Sequence, residues 1–367
     1  MSHPRLLGLA GGSIAALLFG TTIAAAETSS WAGRVDGPAA PIERKAAKQA
    51  PVKMIKTQPA APNDRQAPAP SRPPEKGGAQ AKAPPTGDDA AYEAFDQGQY
   101  ILALELAVKS AERGEPTAHT LVGRIYAEGL GTSRNAPLAA QWYARGAELG
   151  DPEAMFAYGI MLAEGSGVEK NRVEAARYLE AAAQRKHALA NYNLALLFLK
   201  GDGKPENPHR ALMHMRYAAE SGVTTAQYDL GTMYATGTGT DANALEAAKW
   251  IGKAASAGHV EAQLDYAVIL FRGHGVPVDT NRGAQLFRMA ADKGVATAQN
   301  RLARCYAHGA GVEQNLVEAA KWNLIARASG IEDETLEKML AKLSRADKAK
   351  AQTAAGEWRD RMMVGLE

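Results

Sequence analysis

Residues 223–258, VTTAQYDLGTMYATGTGTDANALEAAKWIGKAASAG, hold the pattern that decides the fold of this chain. Ala226, Leu230 and Tyr234 recur every four residues, which places them on one flank of a first helix. Gly237 opens a Gly-x-Gly pair that ends this helix, because glycine readily adopts the left-handed backbone needed there. An alanine-rich stretch around a single tryptophan predicts a second helix, which a final glycine closes. The stretch therefore predicts one helix-turn-helix unit.

This unit recurs every 36 residues without drift. The Gly-x-Gly pairs stand at Gly129/Gly131, Gly165/Gly167, Gly201/Gly203, Gly237/Gly239, Gly273/Gly275 and Gly309/Gly311. The last position of the unit is glycine except in one repeat, where Lys186 stands instead. One helix pair cannot bury its own apolar face, so the units must stack on one another. The sequence thus predicts an all-α fold, an α/α solenoid superhelix of six 36-residue helix-turn-helix repeats over residues 115–330 with helical caps.

The segments on either side of the repeats predict these caps, which keep the ends of such arrays soluble. Residues 88–114 predict a lead-in helix pair, and residues 331–367 predict an amphipathic helix followed by a last helix that begins at a capping box. The apolar set of the lead-in pair is Tyr92, Phe95, Tyr100, Leu102 and Leu106. The C-terminal segment offers Leu336, Met339, Leu340 and Leu343, then the capping box Ser344–Asp347 and Trp358.

The leader of the chain differs from the repeats in composition. Residues 1–26 contain one arginine, then an uncharged stretch that ends in an Ala-Ala-Ala site, and this pattern predicts a cleaved signal peptide. An uncleaved membrane anchor is the alternative. No cysteine lies near that site, which excludes a lipoprotein, and we expect the mature protein in the periplasm. Residues 27–87 contain 11 of the 18 prolines and ten basic against five acidic residues, which predicts a disordered basic tether.

Composition and motifs exclude several classes of function. A formal net charge of +2 provides no global field that would attract nucleic acid, and a single cysteine excludes a disulfide framework or a cysteine-based zinc site. The motifs of zinc proteases, phosphate-binding loops and serine acyl enzymes do not occur. His209 and His214 are badly spaced for a metal, His214 is predicted to pack, and Cys305 is predicted to be a small core residue. We therefore predict no catalytic residues, no metal site, no cofactor and no enzymatic activity.

The shared motif resembles a known family. In one unit it is Ala226-Gln227-Tyr228-x-Leu230-Gly231-x-x-Tyr234-x-x-Gly237-x-Gly239, then Ala247-Ala248-x-Trp250 and Ala254-Ala255-x-x-Gly258. It looks like the Sel-1-like repeat family, relatives of tetratricopeptide repeats, and the resemblance implies a solenoid that acts as an adaptor or scaffold. The exported layout is further similar to periplasmic proteins described as negative regulators of exopolysaccharide production, which restrain a membrane sensor kinase. Relatives suspected of binding or hydrolysing β-lactams carry a cysteine pair in each repeat, which this chain lacks.

One face of the first helices is unexpectedly apolar. At about 100° per residue it points away from the alanine-lined core side of each helix. By analogy with tetratricopeptide repeats it predicts a concave groove that binds a protein or peptide; burial by curvature or by a terminal segment is the alternative. The groove residues are Phe156, Ile160, Tyr192, Leu196, Leu199, Tyr228, Leu264, Val268 and Phe271. Thr120, Arg124, Asn300 and Arg304 are expected to close its ends, and Asn193, Asp229 and Asp265 to form a solvated rim.

These observations favour an exported, non-catalytic and monomeric scaffold that regulates envelope signalling through a protein partner, with a sensor kinase as the partner that the resemblance implies. A second hypothesis is a peptidoglycan or polysaccharide binder whose basic tether contacts anionic wall polymer. A wall or β-lactam hydrolase is a third and weaker hypothesis, because no nucleophile and base can be named.

Overall fold

The computed structural model describes residues 87–364. The predicted signal peptide and the predicted tether before Gly87 lie outside the described residues. Within them the secondary structure is entirely helical, which confirms the predicted all-α fold. The helices are α1 Gly87–Asp96, α2 Tyr100–Glu112, α3 Pro116–Glu128, α4 Ala136–Glu148, α5 Pro152–Glu164, α6 Arg172–Gln184, α7 Ala188–Lys200, α8 Pro208–Glu220, α9 Thr224–Thr236, α10 Ala244–Ser256, α11 Val260–Arg272, α12 Thr280–Asp292, α13 Ala296–His308, α14 Leu316–Ala328, α15 Glu334–Leu340 and α16 Arg345–Val364.

The period of 36 residues has a simple structural basis. Every helix from α2 to α14 is 13 residues long, which corresponds to about 20 Å of helix. In each repeat a seven-residue loop joins the first helix to the second, and a three-residue loop leads on to the next repeat. Within α3–α6 and α9–α14 each second helix packs against its own first helix, and within α3–α7 and α10–α14 it also packs against the first helix of the following repeat. This stacking is the solenoid-like arrangement that the sequence predicts.

Left-handed residues end the helices where the glycine pattern predicts them. Gly129, for example, caps α3 with φ 73°, and its N–H donates to the carbonyl of Ile125. Lys186, the one exception to the glycine series, keeps the backbone of its equivalents: with φ 65° it is the only non-glycine residue with positive φ among the described residues. The repeat therefore imposes this turn even where the residue does not favour it.

The described residues fall into two compact units, 87–214 and 215–364. In the first unit, aromatic and aliphatic residues of α3–α7 pack around alanines such as Ala154 and Ala190, both fully buried. In the second unit, a continuous core extends from α9 to α16 and includes Cys305, which is fully buried as predicted. The small residues lie where helices cross, so that the helices approach closely.

The caps differ in part from the prediction. Helices α1 and α2 bury Ala91, Ala94, Ala103 and Ala107, whereas the large residues of the predicted apolar set are half-buried or exposed. The exposed members are Tyr92 and Leu102, and the half-buried ones are Phe95, Tyr100 and Leu106. Alanine takes the inner positions of this helix pair, where small side chains allow two helices to approach closely.

The C-terminal cap follows the prediction more closely. Helix α15 buries Leu336 and Leu340 but ends before Leu343, which lies in the connection to α16. Ser344 Oγ accepts from the N–H of Asp347 at 3.1 Å, as the capping box predicts. The ring of Trp358 on α16 meets that of Trp322 edge-on at 5.8 Å. Within residues 87–364 no helix is long and apolar enough to cross a membrane.

Candidate functional site

The predicted groove residues lie on the first helices α5, α7, α9 and α11, and we call them the inner row. They are not exposed. The buried members are Phe156, Ile160, Tyr192, Leu196, Tyr228 and Phe271. The half-buried members are Leu199, Leu264 and Val268. Their burial means that only the half-buried members present an accessible surface, and the role of the row in partner binding stays a prediction.

One member belongs to the core alone. The ring of Phe271 stacks on Phe287 of α12 at 5.4 Å, and it lies so close to Gly283 that a Cβ there would come within 2.6 Å of the ring. Phe271 is therefore held between α11 and α12.

Two aromatic members of the inner row contact the next repeat. The ring of Phe156 stacks on the imidazole of His187 at 4.6 Å, and that of Tyr228 stacks on His259 at 4.8 Å. Both histidines are N-cap residues: Nδ1 of His187 accepts from the N–H of Ala190 at 3.1 Å, and His259 caps α11 in the same way. An inner-row ring thus lies against the start of the first helix of the following repeat, and we call this contact the seam.

The seam at the C-terminal end of the array is polar. Asp333 accepts from Asn300 Nδ2 at 3.0 Å and from Arg304 Nε at 2.6 Å, and it also caps α15 through the N–H of Leu336. Arg304 and Asp333 are both buried. Burial alone would raise the pKa of Asp333, but the hydrogen bonds from Arg304 and Asn300 outweigh it and hold the pKa below its ordinary value.

The seam at the N-terminal end uses the same chemistry. Thr120 donates to Asp151, and Asp151 caps α5 by accepting from the N–H of Ala154 at 3.0 Å. The predicted end residue Arg124 instead pairs with Glu128 on its own helix at 3.0 Å and lies over the ring of Phe95. The predicted polar ends of the groove are therefore paired within the protein.

The prediction of a solvated polar rim is wrong. Asn193 and Asp229 are buried, and Asp265 is half-buried and accepts from the hydroxyl of Tyr228 at 2.7 Å. Burial raises the pKa of Asp265, and burial together with the charge of Asp265 raises the pKa of Tyr228. The helical angle places these residues on a flank of their own helix, but it does not tell which other parts of the chain cover that flank.

His214, a side chain that could act in catalysis or bind a metal, has structural partners instead. Nδ1 of His214 lies 2.9 Å from Asn191 Oδ1, and its ring stacks on Phe198 at 5.7 Å. Burial, and after it the charge of Arg210, lowers the pKa of His214. In the part of the chain that the structure describes, no three His, Cys, Asp or Glu side chains are grouped to hold a metal ion.

The capping histidines were missed at the sequence level, although a signal existed. His187 and His259 stand 36 and 108 residues after Asp151, at the position that precedes each first helix. Asp151, His187 and His259 share this position, and each has a side chain that can accept a hydrogen bond, which indicates an N-cap.

Comparison with known proteins is consistent with this repeat structure. The model of the Sel1 repeat matches residues 116–151, 152–187, 188–223, 224–259, 260–295 and 296–330. Among solved structures, a Sel1 repeat protein from Oxalobacter formigenes is 31% identical with a TM-score of 0.57, and the match covers 66% of this chain and 97% of that one. A protective antigen of uropathogenic Escherichia coli strains that displays an SLR fold is 25% identical with a TM-score of 0.51, with 75% and 68% covered. Among curated proteins, none matches this chain significantly.

Proposed function

The chain belongs to the Sel1 repeat family, and from this premise we propose that it is an exported, non-catalytic adaptor that binds a protein or peptide partner and restrains envelope signalling or exopolysaccharide production. Proteins with this type of repeat are generally protein–protein interaction scaffolds. The finer parts of the proposal are the export, the regulatory role, the monomeric state and a membrane sensor kinase as partner.

The observation that carries the non-catalytic role is the use of reactive side chains for packing. His187 and His259 are N-caps, His214 contacts Asn191, and Cys305 is fully buried. A general base or nucleophile must reach a substrate, whereas these groups are held in seams and core. The repeats therefore support recognition better than catalysis.

The accessible part of the inner row provides the proposed contact surface. Leu264 and Val268 lie one helical turn apart on α11 and are both half-buried. Half-buried aliphatic side chains can transfer their remaining apolar surface from water to a partner, which favours binding. Leu199 on α7 offers the same kind of surface in the first unit.

The test is capture of crosslinked partners from intact envelopes, followed by mass spectrometry, with chains that contain or lack residues 27–87. A membrane sensor kinase as the dominant partner of both chains would support the regulator proposal. Wall polymer alone, lost together with the tether, would replace it with the polysaccharide-binding alternative. Turnover of wall fragments or β-lactams by the purified chain would contradict the non-catalytic role.

Matched substitutions separate the inner row from the rest of the surface. Leu264→Gln with Val268→Thr makes the row polar with little change in volume, and we expect the dissociation constant of the captured partner to rise at least about tenfold. Leu245→Gln with Val278→Thr applies the same chemistry to two exposed residues of the same unit, 63% and 56% accessible, and should leave binding unchanged. Equal effects of the two pairs on binding, at unchanged melting temperature, would exclude the inner row as the contact surface.

A further inference from the structure

The first turn of α2 lines a cleft of about 450 Å³, a volume within the usual range of binding sites. Its apolar wall consists of side chains that are well exposed: Ile101 is 66% and Leu102 43% accessible. Glu105, one turn further along α2, places a carboxylate at the same cleft. The cleft thus combines an apolar wall with a negative charge.

The turn before α2 is shorter than its counterparts in the repeats, and Leu102 is more exposed than the equivalent residue of the first repeat. Only three residues connect α1 to α2, whereas seven connect the first and second helices of every repeat. Leu138, 36 residues after Leu102 and behind a seven-residue loop, is half-buried, whereas Leu102 is exposed. The loop after α3 contributes the other wall, since a Cβ at Gly131 would lie 3.2 Å from Ile101 Cγ1. The first turn of α2 is therefore an apolar surface that no loop of its own hairpin covers.

Charge distinguishes the hairpin formed by α1 and α2 from the chain that precedes it. Residues 87–112 contain six carboxylates and a single lysine. In residues 27–86 the balance is reversed, with ten basic and five acidic residues. The segment 44–56, RKAAKQAPVKMIK, carries five basic residues, no acidic residue and the apolar side chains of Val52, Met54 and Ile55. The segment therefore complements the cleft in both charge and polarity.

We propose that residues 51–56 of this chain dock in cis on the cleft at the first turn of α2. Val52, Met54 and Ile55 cover the apolar wall formed with Ile101 and Leu102, and the two lysines of the segment lie beside the acidic hairpin. This contact goes beyond the adaptor function and is independent of the identity of any partner: it fixes the tether at the N-terminal end of the repeats.

The connecting chain is long enough for this contact. Thirty residues separate Lys56 from Gly87. A flexible chain of that length has a root-mean-square span of about 30 Å, which exceeds the roughly 20 Å length of α2. A linker of this kind gives an effective concentration on the order of millimolar, so that even a contact with a dissociation constant near 0.1 mM is about 90% formed.

Hydrogen exchange measured by mass spectrometry on the intact chain tests the proposal. The backbone amides of residues 52–56 should exchange about tenfold more slowly than those of a free peptide with the same sequence, because docking at that effective concentration leaves them open about a tenth of the time. Ile101→Asp should return them to the free rate. Val173→Asp is the matched control: Val173 occupies the same position on α6, is 69% exposed, and its substitution should leave the protection unchanged.

Charge reversal tests the electrostatic part. Lys53→Glu with Lys56→Glu should abolish the protection, whereas Lys76→Glu with Lys82→Glu, which makes the same change elsewhere in the tether, should preserve most of it. Exchange of residues 52–56 at the free rate in the unmodified chain would overturn the proposal. Protection that survives Ile101→Asp would place the segment elsewhere, and protection that grows with protein concentration would assign the cleft to a second copy; either result overturns docking in cis.

Discussion

Seams inside the array and the seam at its C-terminal end use the same position of the repeat with opposite chemistry. Inside the first unit, the ring of Phe156 lies on the imidazole of His187. At the C-terminal end, Asp333 accepts hydrogen bonds from Asn300 and Arg304 instead. Asn300 stands four repeats after Phe156, and each of the two contacts the N-cap residue of the helix that follows its repeat. The repeat geometry therefore determines which residues meet, and the sequence determines whether they meet as stacked rings or as a polar cluster.

The difference follows from what each seam must satisfy. An interior seam is covered by repeats on both sides, so that a flat ring and an imidazole fill it without leaving an ionised group unpaired. The end seam joins the last repeat to α15, where one carboxylate both caps the helix and pairs with a buried guanidinium. Such a pair holds a cap in one position, but it depends on each partner being present.

The largest expected effect comes from breaking the polar seam. Asp333→Ala would leave Arg304 buried without its carboxylate and α15 without its N-cap, and we expect the free energy of unfolding to fall by about 3–5 kcal/mol. Urea denaturation, with α15 followed by hydrogen exchange, measures this loss.

A double variant separates the ion pair from the cap. Arg304→Met with Asp333→Ser removes both charges but retains an N-cap hydroxyl, and it should recover most of the stability lost in Asp333→Ala. A loss below about 1 kcal/mol for Asp333→Ala would show that Arg304 finds enough water or other partners without Asp333.

The fold could be predicted from the sequence because the same pattern of residues occurs six times. Six copies of the glycine pair fix the helix ends, and even the exceptional Lys186 shows the left-handed backbone of the glycines that it replaces. The lead-in helices lack such copies. There the sequence predicts the large apolar residues in the core, whereas Ala103 and Ala107 occupy it, because helical periodicity does not specify how closely two helices approach.

The inner row illustrates the limit of helical angles. The helical angle gives the direction of Tyr228 relative to its own helix but not the distance to the first helix of the next repeat. There His259 stacks on the ring of Tyr228, and Asp265 accepts a hydrogen bond from its hydroxyl. The apolar character of the row was therefore predicted correctly, while its exposure depends on contacts between repeats that a single repeat sequence does not contain.

A smaller effect tests the stacked seams through pH. Burial lowers the pKa of His259; the nearby charge of Glu261 raises it, and that of Lys293 lowers it further. The folded state therefore binds fewer protons at this site than the unfolded state. Its contribution to stability is present above the unfolded pKa of about 6.5 and is lost as the pH falls below it. Since a protonated Nδ1 cannot accept from the N–H of Ala262, we expect a loss of about 1 kcal/mol between pH 7 and pH 5.

The variant His259→Asn isolates this contribution. Asparagine is an N-cap acceptor that does not titrate in this range, so the decrease in unfolding free energy between the two pH values should shrink by about 1 kcal/mol, whatever the variant's absolute stability. All carboxylates are the same in both proteins, so the titration of those that do not contact His259 cancels in the comparison. An unchanged pH slope would mean that another group controls the acid sensitivity.

The smallest effect concerns the one loop that departs from the others. Lys186 holds φ 65°, a conformation that costs a residue with a Cβ about 1–2 kcal/mol, while glycine would add about 0.5–1 kcal/mol of backbone entropy to the unfolded chain. Lys186→Gly should therefore stabilise the protein by about 0.5 kcal/mol in urea denaturation. Lys186→Ala keeps the backbone cost without the amine, so the difference in stability between Lys186→Ala and Lys186→Gly measures the cost of the left-handed turn itself.

If alanine and glycine gave equal stability, the left-handed turn would relax at no cost, and the three-residue loops would not determine where one repeat meets the next. A gain for glycine alone means that the loop before His187 keeps a strained conformation, because the contacts of the seam stabilise the fold by more free energy than the strain removes.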